Sequence, residues 1–110
     1  MSTIPEMTVT DLKARLDAGE PVTIIDVREP HEWEIANLGQ HGATLIPLGE
    51  VVERSEEIPR EGVVVLQCRS GSRSGNAVAY LQQNGWTNLF NLKGGILAWA
   101  DQVDPTVQKY

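Results

Sequence analysis

The one cysteine of this sequence, Cys68, stands directly before a short cationic and flexible segment. The segment is Arg69, Ser70, Gly71, Ser72, Arg73 and Ser74, a composition that suits anion binding better than core packing. Backbone N–H groups of such a loop can converge on one point, and a helix after the loop adds its unpaired first-turn N–H groups. A thiol there should have a pKa below the value of about 8.5 of free cysteine. Cys68 is therefore predicted to be a thiolate nucleophile that faces an anionic substrate, although a lone cysteine is more often a small buried apolar residue.

A strand and a helix flank this cysteine. The apolar run from Val63 to Leu66 is typical of a strand buried on both faces of a parallel sheet. Residues Asn76 to Gln83 have helical spacing, and Gly85 can end that helix in the left-handed conformation. The chain is therefore predicted to run from a strand through a tight loop into a helix.

The remaining patterns predict helices and strands in alternation. Helices are predicted between Thr8 and Gly19, Glu29 and Asn37, Leu48 and Ile58, and Ile96 and Ala100, and further strands at Val22 to Val27, Thr44 to Ile46 and Trp86 to Leu92. This alternation predicts an α/β fold with a small, mainly parallel sheet flanked by helices on both faces. Right-handed crossovers bring the C-terminal ends of the strands to one edge of the sheet, where Cys68 is expected to lie.

Charged residues at the end of the second predicted strand are expected to support the site. Asp26 and Arg28 stand where the ligands of open α/β sheets gather. An acid and an arginine at such a place usually fix loops by hydrogen bonds and ion pairs, so a structural role is expected, with Glu32 as another partner of Arg28. No metal site is predicted, because His31 and His41 lack a second ligand at metal spacing.

The length and charge of the chain limit the number of domains and the kinds of partner that can be expected. Its 110 residues suit one domain, 1–110, with an irregular tail at about 103–110 that is either a loose end or a docking strip. The net charge of −6 argues against nucleic acid or an anionic membrane as the main partner. No secretory signal pattern and no apolar run of the roughly 20 residues of a membrane span are present. A single cysteine favours the cytoplasm, and the lack of heptads or a long apolar edge favours a monomer.

Three separated segments together resemble the rhodanese, or sulfurtransferase, domain family. Ile25 to Glu32 resembles its Asp-Val-Arg motif with a following acid, Cys68 to Ser74 its active-site loop, and Gly94 to Trp99 its Gly-Gly and Trp motif. The match runs in order from about Thr8 to Trp99. A departure lies at Leu38 to Ala43, where the histidine of the family pattern is displaced to His41.

A narrower resemblance concerns the rhodanese domain fused behind adenylyltransferases that activate ubiquitin-like sulfur carriers. It rests on Glu29 to Glu34, Ile46 to Glu50 and the ending Val103 to Tyr110. This resemblance implies that the sulfur acceptor is a protein of cofactor or tRNA thiolation.

The family resemblance implies a covalent mechanism. Cys68 would take the outer sulfur of thiosulfate or a persulfide, hold it as a persulfide and pass it to cyanide, a thiol or a protein. The N–H groups of the loop would stabilise the charged sulfur, and Arg69 and Arg73 would orient the small anionic donor. The resemblance implies that no metal or organic cofactor is required.

Two alternatives remain open at this point. One is a persulfide carrier or docking module without turnover, which would share the loop and differ in rate and partner. The other is a cysteine-dependent phosphatase or arsenate reductase. Those enzymes place an arginine six positions after the cysteine, whereas here Arg73 is five positions after it and Ser74 is the sixth. The smaller ring of N–H groups suits a sulfur atom better than a phosphate.

Overall fold

The computed structural model of the chain describes residues 3–110. Its strands are β1 (Glu6–Met7), β2 (Val22–Asp26), β3 (Thr44–Leu45), β4 (Val63–Gln67) and β5 (Leu89–Leu92), and its helices are α1 (Val9–Asp17), α2 (Pro30–Ile35), α3 (Ser72–Gln83) and α4 (Gly95–Gln102). The strands form one parallel sheet in the order β1-β5-β4-β2-β3. The strand before Cys68 is therefore central, and the predicted α/β fold is confirmed.

The central strand supplies both hydrophobic clusters of the domain. Val64 and Leu66 face a cluster that includes residues of α3, whereas Val65 faces a second cluster with residues of α1 and α4. This alternation follows from the two-residue period of a strand, whose successive side chains point to opposite faces. Trp99 of α4 lies in the second cluster and is 1% exposed. The sheet is thus covered by helices on both faces, as predicted.

The predicted helix from Leu48 to Ile58 is wrong. The segment forms two single-turn 3-10 helices, Leu48–Glu50 and Ser55–Glu57, with a turn between them. Helical spacing would place Val51 and Val52 on one apolar face, but Val51 is buried and Val52 is 59% exposed. Gly49 weakens a regular helix here, because glycine has a low helix propensity.

The other boundaries differ by a few residues. Helix α3 begins at Ser72 rather than Asn76, so half of the predicted loop is its first turn. The sequence pattern missed β1, because two residues are too few for a period-two pattern to show. Strand β5 begins at Leu89 rather than Trp86. Within residues 3–110, no helix combines the length and apolar character needed to cross a bilayer.

Candidate active site

Cys68 follows the last residue of β4, and its side chain is 1% exposed. Three groups contact its sulfur: the N–H of Gly71 at 3.1 Å, the N–H of Ser74 at 3.4 Å and the hydroxyl of Ser74 at 3.3 Å. Gly71 has a φ of +105°, which favours glycine and lets the loop turn directly into α3. We call Cys68, Gly71 and Ser74 the Cys68 cradle.

Two opposing effects set the pKa of Cys68. Burial is the largest single contribution and raises the pKa, because a thiolate is poorly solvated inside a protein. Hydrogen bonds from the Ser74 hydroxyl and from the N–H groups of Ser74, Gly71 and Ser70 lower it, and together they outweigh burial. The pKa of the thiol is therefore below its ordinary value, and the nucleophilic thiolate forms more readily.

The start of α4 holds the other side of the loop. The N–H of Ile96 donates to the carbonyl of Cys68 at 2.9 Å, and the N–H of Leu97 donates to the carbonyl of Arg69 at 3.1 Å. Gly95 has a φ of +59°, and a Cβ there would lie 2.4 Å from the Cys68 carbonyl oxygen. Only glycine permits this approach of backbone to backbone, which explains the need for glycine directly before Ile96.

Asn91 of β5 supports the Cys68 cradle from beneath, although the sequence did not single it out. Its Nδ2 donates to the carbonyl of Gly71 at 3.0 Å, and its Oδ1 accepts from the Ser74 hydroxyl at 2.5 Å. One amide thereby fixes both residues that donate to the sulfur. The placement of Asn91 beside β4, opposite Leu66, is what brings it under the loop.

Asp26 and Arg28 form a fully buried ion pair at the end of β2, with both side chains 0% exposed. Asp26 accepts from Nη2 of Arg28 at 2.7 Å, from its Nε at 3.0 Å and from its backbone N–H at 3.0 Å. Nη2 of Arg28 also donates to the carbonyl of Ala36 at 2.7 Å. The pair therefore joins the end of β2 to the end of α2, and within residues 3–110 its hydrogen bonds do not include Cys68.

The side chain of Glu32 pairs with Arg73, which differs from the predicted partner Arg28. Nη1 and Nη2 of Arg73 donate to the two carboxylate oxygens of Glu32 at 2.7 and 2.9 Å, whereas Arg28 reaches only the Glu32 main-chain carbonyl at 3.4 Å. The bond from Arg73 lowers the pKa of Glu32 against the effect of burial. The same pairing raises the pKa of Arg73, to which the nearby Cys68 thiolate adds a smaller contribution. Glu32 and Arg73 are 41 positions apart. The sequence alone could not show which of its acids pairs with which arginine.

The remaining candidate residues lie at the rim or away from the cradle. Arg69 is exposed, and its Nε donates to the main-chain oxygen of Tyr110 at 2.7 Å. The ring of His41 packs edge-on against Trp99, 5.4 Å between centroids. Within residues 3–110, no group of three or more His, Cys, Asp or Glu side chains is arranged to hold a metal ion.

The rhodanese-like domain model matches residues 8–102 of the sequence. The chain belongs to the rhodanese family. The sequence is 40% identical over 104 residues to a protein named sulfurtransferase from Allochromatium vinosum, with 94% of this chain and 95% of that protein covered. It is 37% identical over 106 residues to the protein named "Probable adenylyltransferase/sulfurtransferase MoeZ" of Mycobacterium tuberculosis, of which it spans about a quarter, 26%.

Solved structures agree with this assignment to the rhodanese family. A rhodanese-like domain protein from Staphylococcus aureus superposes with a TM-score of 0.82 at 28% identity, and the match covers 97% of this chain and 99% of that one. The resemblance drawn from three separated motifs is therefore confirmed. The family and the sulfurtransferase names of the relatives support sulfur transfer as the general class of activity.

Asn91→Asp should make the Cys68 thiol of this rhodanese domain less reactive. The change replaces the donor to Gly71 by an acceptor and places a negative charge next to Ser74, so the Cys68 thiolate loses stabilisation and its pKa rises. We expect the rate of Cys68 alkylation by iodoacetamide at pH 7 to fall about tenfold and its pH profile to move upward.

The control for this change is Asn84→Asp, which adds the same charge at the exposed far end of α3. Its pH profile should coincide with that of the wild type. An unchanged profile for Asn91→Asp would show that Asn91 does not support the cradle.

Proposed function

We propose that this rhodanese domain is a sulfurtransferase that carries a sulfane sulfur as a persulfide on Cys68. The observation that carries the proposal is the convergence of the N–H groups of Gly71 and Ser74 on the sulfur of a buried cysteine. Such preorganised donors stabilise a negative charge without reorganising during the reaction. The charge of a thiolate, and then that of a terminal persulfide sulfur, is what they would stabilise.

The proposed cycle has two displacements at sulfur. The Cys68 thiolate attacks the outer sulfur of thiosulfate, a new S–S bond forms, and the original S–S bond breaks with its electron pair leaving on sulfite. A persulfide donor would react in the same way and release its own thiolate. The acceptor, cyanide or a thiol, then attacks the outer sulfur of the Cys68 persulfide, and the electron pair of the breaking bond returns to the Cys68 thiolate.

The loop from Arg69 to Ser74 is proposed to bind the transferred sulfur through its N–H groups. Arg69 and Arg73 add positive charge at the rim, which favours an anionic donor. Asp26, Arg28 and Glu32 are proposed to hold this arrangement from outside the cradle. No step of the proposed cycle requires a metal or an organic cofactor.

The proposal is tested by the intact mass of the purified protein after brief exposure to thiosulfate or to a persulfide donor. We expect a gain of one sulfur atom, assigned to the peptide that contains Cys68, and its loss on addition of cyanide with release of thiocyanate. Loading without transfer to cyanide or thiols would indicate a carrier that needs a docked partner. No loading by either donor, together with hydrolysis of a phosphate ester, would favour the phosphatase alternative.

We also propose an acceptor class, an assembly state and a location. Relatives from Mycobacterium tuberculosis and Zea mays are named as both adenylyltransferase and sulfurtransferase, which favours a protein acceptor. Among residues 3–110, the exposed large apolar side chains are Ile35, Val52 and Tyr80, too few and too scattered for an evident self-association surface. We propose a cytoplasmic monomer, and a sedimentation mass of twice 12.1 kDa would contradict the monomer.

A further inference from the structure

Tyr110 contacts three of the charged residues that surround the Cys68 cradle. Its hydroxyl donates to Glu32 at 2.7 Å and accepts from Nη1 of Arg28 at 2.8 Å. Its ring lies below the guanidinium of Arg69, whose Cζ is 5.2 Å from the ring centroid. Its main-chain oxygen accepts from both Nε and Nη2 of Arg69. Tyr110 is thus anchored at its hydroxyl in a part-buried polar network while its ring and main chain hold Arg69.

Hydrogen bonds and apolar contacts within the tail, 103–110, bring Tyr110 to the charged residues around the cradle. The N–H of Asp104 donates to the carbonyl of Trp99 at 2.9 Å, and the Asp104 carboxylate accepts from the backbone N–H of Thr106 at 3.0 Å. Val107 then packs against the second hydrophobic cluster, together with Tyr110 itself. An Asx turn followed by an apolar contact directs the last residues back over the site. These contacts hold the tail where Tyr110 meets Arg69.

Both arginines of the loop therefore have a hydrogen-bonding edge already occupied by the protein. Arg73 presents Nη1 and Nη2 to the carboxylate of Glu32. Arg69 presents Nε and Nη2 to the main-chain oxygen of Tyr110. A guanidinium binds an oxyanion best through two such parallel N–H groups. An incoming sulfonate-like group would have to compete for these edges.

We propose that Tyr110 is a specificity-determining residue that withholds Arg69 from oxyanionic sulfur donors. This inference rests on the proposed sulfur transfer and narrows its donor class. With Arg69 bound to the tail, thiosulfate cannot use the Nε and Nη2 edge of this residue, whereas a donor that presents a terminal persulfide sulfur does not need it. The tail thereby favours persulfide donors over thiosulfate.

The inference is tested by titrating sulfate into the wild type, Tyr110→Phe and Tyr110→Ala. Binding is followed by NMR on the backbone N–H signals of Ser70 and Gly71. Tyr110→Ala keeps the main-chain oxygen but removes the hydroxyl and the ring that hold the tail in place, so Arg69 should be released. Sulfate binding should then tighten about fivefold, the size of one exposed charge contact. Tyr110→Phe keeps the ring and loses only the anchoring hydroxyl, so it should show a smaller change in the same direction. Equal or weaker sulfate binding in both variants would overturn the inference.

Two further variants separate this effect from a general loosening of the domain. Tyr80→Ala removes a tyrosine that is 37% exposed on α3 and should leave sulfate affinity unchanged. Adding Arg69→Ala to Tyr110→Ala should abolish the gain in affinity, because the gain is carried by Arg69. A gain that persists in the double variant would contradict the inference.

Sulfur loading is measured in parallel on the same proteins. The rate of loading by thiosulfate should rise in Tyr110→Ala relative to the rate with a persulfide donor. If neither donor loads any of the proteins, the proposed function fails, whereas the sulfate titration still decides the role of Tyr110.

Discussion

Cys68→Ser should abolish sulfur loading, with a loss of about a thousandfold or more in transfer rate, because no other residue of the chain can form the persulfide. A serine hydroxyl in the cradle would still accept from the N–H groups of Gly71 and Ser74, which now contact the Cys68 sulfur. The free energy of unfolding should therefore change by only about 1 kcal/mol. The measurements are the intact mass after thiosulfate or persulfide treatment and a urea unfolding curve.

The unfolding curve serves as the control for this variant. A folded Cys68→Ser protein without added sulfur separates loss of chemistry from loss of structure. A folded Cys68→Ser protein that still gains one sulfur atom would contradict the assignment of Cys68 as the nucleophile. The contrast is interpretable because the chain contains a single cysteine, so no second thiol can substitute for it.

The prediction that Cys68 is a nucleophile rests on residues that are adjacent in the sequence. The apolar run before Cys68 and the glycine, serines and arginines after it are neighbours in sequence, and a strand followed by a helix fixes their relative placement. Four of the five strands of the sheet could be predicted from the pattern of their own residues, whereas β1 is too short to show one. Among residues 3–110, the segment from Leu48 to Ile58 departs most from its predicted structure.

The supporting contacts could not be predicted, because they depend on pairings between distant positions. Asn91 has no special neighbours, and its role arises only from the register of β5 against β4. Tyr110 meets Glu32 across 78 positions, and no local pattern indicates such a contact. Several acids could have paired with Arg73, and the structure brings Glu32 of α2 to Arg73 in the first turn of α3. Local chemistry therefore indicated a candidate site, and tertiary placement determined which residues surround it.

Arg28→Met should destabilise the domain by about 3 to 5 kcal/mol, because it leaves the Asp26 carboxylate buried without its partner. Methionine fills much of the volume of the side chain, so packing is largely kept and the unpaired charge is the main cost. The carbonyl of Ala36 and the hydroxyl of Tyr110 also lose a donor, which adds to the loss. Chemical denaturation of the wild type and the variant measures the difference.

Two comparisons show whether the unpaired charge is the cause. Arg54→Met removes an arginine from exposed ion pairs with Glu50 and Glu57 and should cost less than about 1 kcal/mol. Adding Asp26→Asn to Arg28→Met neutralises the buried charge and should recover part of the lost stability. If the double variant is no more stable than Arg28→Met, then lost hydrogen bonds and packing carry the effect, and the buried pair matters through its contacts with α2 and the tail more than through its charge.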